Sequence, residues 1–98
     1  EVAAVLPLNA FRSGSSGSAV ITVNEPGHGR STGDTVRFRS VEAFDGFTEA
    51  VIESASGYSI TVPTDSDGDP DADFYTFSAS SGTATVGNLS GGGNGYIT

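Results

Sequence analysis

The chain has no cysteine, no methionine, no tryptophan and no lysine. Without cysteine there are no disulfides, no thiolate nucleophile and no sulfur ligands for a metal. Without lysine, cationic character rests on Arg12, Arg30, Arg37 and Arg39, set against 12 acidic residues for a net charge of −8. That balance argues against a nucleic-acid partner, which needs clustered cations facing phosphates. Long hydrophobic runs are missing too. The opening EVAAVLPLNA is apolar but too short to cross a bilayer, and it lacks the positive leading region of a signal peptide, so no membrane partner is expected. A start at Glu1 instead of methionine reads as a processed or partial piece of something longer.

What is present fits one domain. Of the 98 residues, 14 are glycine, so the core must be small and built largely from six phenylalanines and three tyrosines. Apolar and polar residues alternate in four segments, which marks strands with one buried face. Ala19, Ile21 and Val23 oppose Val20 and Thr22; Val36 and Phe38 oppose Arg37 and Arg39; Tyr58, Ile60 and Val62 oppose Ser59 and Thr61; Tyr75, Phe77 and Ala79 oppose Thr76 and Ser78. Residues 83–86 read as a weaker fifth strand. Turn-rich separators between short strands predict an all-β fold, a small antiparallel β-barrel or sandwich. Within residues 44–53, Phe47, Ala50 and Val51 have helical spacing and predict a single turn, with Phe44 and Phe47 plugging the open end of the barrel.

The two ends read as extended arms. Residues 1–15 form an N-terminal arm bearing Val2, Val5, Leu6, Leu8 and Phe11 with no strand partner nearby in sequence; residues 16–86 form the body; residues 87–98 form a Gly-rich C-terminal arm ending in Tyr96 and Ile97. An apolar arm docks on something, and a small body has little surface to receive it. Val5, Leu6, Leu8, Phe11, Tyr96 and Ile97 are therefore expected at an interface with other chains.

Five constellations invite chemistry. His28, Ser31 and Asp34 have a triad's membership, but they crowd into one turn, whereas triads are assembled from distant segments; an imidazole bonded to a backbone carbonyl to pin the loop is the expected role. Asp65, Asp67, Asp69, Asp71 and Asp73 alternate like oxygen ligands for calcium, yet Pro70 stands where a calcium loop needs glycine and Thr76 where it needs glutamate, so a solvated, metal-free acidic turn is expected. Residues 13–18 lack the lysine and following helix of a phosphate loop and read as a flexible linker. Phe44, Phe47 and Tyr58 would make an aromatic platform for a glycan if exposed, though core packing is expected of them. Arg37 and Arg39 share a strand face and read as a solvated face or a subunit salt bridge. No cofactor and no catalytic residue is assigned.

Several of these segments carry a resemblance. GHGRSTGDTVRFR at residues 27–39, SGSAVITV at 16–23, FDGFT at 44–48, GYSITV at 57–62, FYTF at 74–77 and GGG at 91–93 resemble a β module that recurs in structural proteins of tailed bacteriophages. A related pattern occurs in the first catalytic cysteine half-domain of ubiquitin-activating enzymes, a small β-barrel. The resemblance covers about three quarters of the chain and departs from it at the long acidic turn, residues 65–73. It implies a non-enzymatic virion subunit, located in head decoration, neck, tail or fibre, whose partners are copies of itself and other virion proteins. A receptor- or glycan-binding module of a phage tail, meeting a host-surface glycan, is one alternative reading; an uncharacterised hydrolase is the other.

Overall fold

The computed structural model describes residues 3–98; Glu1 and Val2, the latter counted among the apolar residues of the arm, lie outside them. The elements are β1 (Ala4–Val5), β2 (Phe11–Ser13), β3 (Val20–Asn24), β4 (Thr35–Val36), β5 (Phe38–Arg39), α1 (Glu49–Ile52), β6 (Tyr58–Ser59), β7 (Phe74–Ser78), β8 (Ser90–Gly91) and β9 (Tyr96–Ile97). They form a small, compact, mostly antiparallel β domain with little helix. Three sheets, ordered β7-β3-β2-β8, β1-β9-β5 and β4-β6, enclose one core. Among the described residues the sheets do not join into a closed barrel. The strand of residues 35–39 is interrupted at Arg37, so Val36 pairs with Tyr58 in one sheet and Phe38 with Ile97 in another.

Alternation places the core as expected. In the four-stranded sheet Phe11 stands opposite Val23 and Val23 opposite Tyr75, while Ile21 stands opposite Phe77; all are buried because paired residues share a face. Arg12, Thr22 and Thr76 occupy the outer face. Val36, Phe38 and Ile60 are buried too, whereas Val62 is only half-buried, lying past the end of the short β6. Residues 83–86 do not form a strand; Ala84 alone of them packs into the core.

Both expected arms are strands of the body. β2 lies between β3 and β8, and β9 lies between β1 and β5, so each end of the chain completes a sheet begun by the other. Phe11 is 0% exposed, its ring edge-on to Phe38 at 5.0 Å and to Phe77 at 6.5 Å. Residues 13–18 accordingly form the hairpin connection from β2 to β3, closed by Ser18 N–H to Ser15 C=O and Gly14 N–H to Val20 C=O. They are not a loose linker.

The glycine run explains how β8 fits. A Cβ on Gly92, whose φ is +100°, would stand 2.2 Å from Phe11 Cδ2, and one on Gly91 would stand 2.5 Å from Phe44 Cβ. Only a bare backbone passes this close to the two rings.

The single helical turn falls two residues later than the apolar spacing suggested. Thr48 caps it by accepting Val51 N–H at 3.3 Å, and Ile52 is the buried residue while Ala50 faces out. Asp45 (φ 43°) and Gly46 (φ 90°) make a two-residue turn between Phe44 and Phe47, whose backbones exchange both hydrogen bonds. This turn lays Phe47 into the core, with Phe44 packed partly over it.

Candidate functional site

Strand parity divides the six residues expected at an interface. On β1, β9 and β5, Ala4, Ile97 and Phe38 are cross-strand neighbours on the inner face, and Val5, Tyr96 and Arg39 are neighbours on the outer one. Leu6, Phe11 and Ile97 are therefore buried within their own chain, which corrects the expectation for these three: the missing strand partner is supplied by the opposite terminus. Val5 at 86%, Leu8 at 66% and Tyr96 at 42% remain exposed. Val5 and Leu8 lie in a segment, residues 3–10, that carries no charge, and Tyr96 is the cross-strand neighbour of Val5 on β9. β1 is also a sheet edge, paired with β9 on one side only.

The HG loop, residues 27–30, is built around buried polar groups that sequence reading missed. Glu25 and Arg30 are each 6% exposed and form an ion pair, Arg30 Nε and Nη2 donating to the two carboxylate oxygens at 2.9 and 3.1 Å. The Tyr75 hydroxyl donates to Glu25 Oε1 at 2.6 Å. Burial acts to lower the Arg30 pKa, but the hydrogen bond and charge of Glu25 outweigh it and raise the value. Burial, then the same carboxylate, pushes the Tyr75 hydroxyl well above its usual range. The available signal was the pairing of an acid and one of only four arginines five residues apart, flanking two glycines.

His28 pins this loop, but with the opposite polarity to that expected: Nδ1 accepts the Arg30 backbone N–H at 2.8 Å instead of the ring donating to a carbonyl. Its ring stands edge-on to Tyr75 at 5.1 Å, and Nε2 is buried without a hydrogen-bond partner among the described residues. Asp34 Oδ2 accepts Ser31 N–H at 2.9 Å, so the candidate triad members are each engaged with backbone and make a turn. A cleft of about 430 Å³ is lined by residues 27–30 and 70–72.

The remaining candidates have structural surroundings. Asp65 Oδ1 accepts the N–H groups of Asp67 and Asp69, and Asp71 Oδ1 those of Asp73 and Phe74, so these carboxylates shape the exposed acidic turn. Among the described residues no three His, Cys, Asp or Glu side chains converge to hold a metal. Phe47 and Tyr58 are buried, which removes the aromatic platform for a glycan. Arg37 Nε donates to Ala55 C=O and Arg39 Nη1 to Glu53 C=O, tying both half-buried arginines to the loop after α1. No described helix is long and apolar enough to cross a membrane.

Asp45 is the other residue that sequence reading left without a role. Its Oδ2 accepts from Ser13 Oγ at 2.6 Å and from Gly87 N–H at 2.9 Å, and Oδ1 from Val86 N–H at 2.7 Å. These bonds, the Ser13 hydroxyl first, hold its carboxyl below the usual carboxylate range.

The geometry thus defines a small antiparallel β domain with exposed apolar side chains at the β1 edge and also at Val20, Phe74, Val86 and Leu89, and with a buried polar cluster of Glu25, Arg30 and Tyr75 under residues 27–30. Comparison with known protein families, curated proteins and solved structures finds no match.

Proposed function

We propose that the chain is a non-enzymatic structural subunit of a tailed-phage or phage-like virion that acts through subunit contacts. The observation that carries the contact role is a set of exposed apolar side chains near the start of the chain, Val5 on the edge strand β1 and Leu8 in the turn after it, with Tyr96 beside Val5 on β9. Val5 is the most exposed of the large apolar side chains among the described residues, and the open edge of its strand offers unpaired backbone groups to another chain. The virion assignment rests on the resemblance of the segments between residues 16 and 93 to the phage β module. The finer fold reading follows from the same resemblance. The isolated bridge between Thr61 and Thr76 links the β4-β6 region to β7, so the sheets are read as an interrupted small barrel. Many copies make weak contacts additive.

Mass spectrometry of purified tailed particles from the source should find the chain in repeated copies. Val5→Asp combined with Leu8→Ser should leave the melting transition in place and remove the protein from particles. Absence of the wild-type chain from particles, or full incorporation of the variant, would end the reading.

A further inference from the structure

Residues 25–28 are fastened to the bend just before β7: Glu25 N–H to Asp73 C=O at 2.8 Å, His28 N–H to Ala72 C=O at 3.0 Å and Gly27 N–H to the side-chain Asp73 Oδ1 at 3.1 Å. The bond from Arg30 N–H to His28 Nδ1 closes the loop on itself. It requires the neutral ring with its proton on Nε2, because an imidazolium is a donor at both nitrogens and has no lone pair to offer.

We propose that His28 is an acid-sensitive latch: protonating its imidazole opens residues 27–30 away from residues 72–73 while the sheets stay folded.

The charged ring would turn a donor toward the Arg30 N–H, so that two donors face each other where one hydrogen bond stood, while the ring remains edge-on to Tyr75. Of the acidic groups around it, Glu25 binds Arg30 through both oxygens and Tyr75 through one, so it could turn to the imidazolium only by giving up one of these bonds; Asp71 and Asp73 each use Oδ1 for backbone N–H groups, Asp71 for two and Asp73 for that of Gly27. Pro26, Gly27 and Gly29 are exposed, so the opening is confined to the loop backbone while the Arg30 side chain stays paired with Glu25, and it is local and separate from global unfolding. This latch does not depend on the virion assignment.

Amide hydrogen exchange on the full chain by NMR, corrected for intrinsic rates, tests it alongside a pH titration of the His28 ring protons. Protection of the Arg30 and His28 amides should fall about tenfold in step with the ring titration, the equivalent of losing one hydrogen bond. The Val23 and Tyr75 amides should stay protected over that range. His28→Asn, which keeps an acceptor near the Nδ1 position but does not titrate, should show no such step. Protection that is constant or rises as the ring is protonated overturns the latch, as does the same step in His28→Asn. Should that variant fail to fold, the match or mismatch of the two wild-type titrations decides by itself.

Discussion

At the residue scale, Asp45 and the Glu25–Arg30 pair do work that apolar burial cannot. Asp45 gathers a hydroxyl and two backbone N–H groups from segments 32 to 42 positions away, joining the turn after Phe44 to β2 and to residues 86–87. Its depressed pKa fixes the sign of its pH effect: the contribution is fully present above the unfolded-state pKa and is lost as pH falls through the lower folded value. Asp45→Asn should therefore lower the melting temperature at neutral pH and flatten its decline in acid, measured by thermal melts over a pH series. The Glu25–Arg30 pair behaves differently. Arg30→Ala leaves a buried carboxylate facing only the Tyr75 hydroxyl, and removal of one partner from such a pair costs roughly 3–5 kcal/mol. Chemical denaturation should register that loss; a change within a few tenths of a kcal/mol would show the pair to be solvated. The acid and arginine were visible in the sequence, but their pairing was not, because nothing in residue order says that Tyr75 arrives to enclose them.

At the element scale, the strands are short and gain stability only by sharing one core. Parity read from the sequence placed Ile21, Val23, Val36, Phe38, Ile60 and Phe77 correctly inside. The same rule was not carried to the ends. Phe11 pairs with Val23 across the hairpin and also with Gly91 near the other end of the chain, and Ala4 faces Ile97, partners about eighty to ninety residues away. Deleting residues 1–12 should consequently abolish the cooperative unfolding transition instead of releasing a folded body, since it removes Phe11 from the middle of the aromatic cluster. Phe11→Ala alone should cost roughly 3–5 kcal/mol, read from the denaturation midpoint. Gly92→Ala should also be severely destabilising, because its Cβ and the Phe11 ring cannot occupy the same space. A melting temperature near the wild-type value for Gly92→Ala would mean that β8 packs elsewhere.

At the scale of the whole molecule, charge and surface are distributed unevenly. Acidic residues crowd the turn of residues 65–73, whereas residues 3–10 are uncharged and hold the exposed Val5 and Leu8. Two copies approaching through β1 would keep their acidic turns out of the contact only if those turns lie elsewhere on the body, and salt would then affect association little. Sedimentation of the purified protein at low and high salt checks this: association through the apolar edge should persist in high salt, and Val5→Asp should reduce it. Dissociation by salt alone would point to charged contacts instead.

Composition and parity by themselves determined that this chain is one small all-β domain without disulfides, and which residues of its middle strands face inward. Those properties follow from local rules, the alternation of side chains along an extended backbone and the turn chemistry of glycine, asparagine and aspartate. The tertiary structure decided the fate of the ends, the enclosure of Glu25, Arg30 and Tyr75, and the polarity of the His28 bond. Each of these depends on which distant segment comes to lie alongside, and that choice is made by the packing of one aromatic core, with Phe11, Phe38 and Phe77 in mutual contact, which no single stretch of sequence contains.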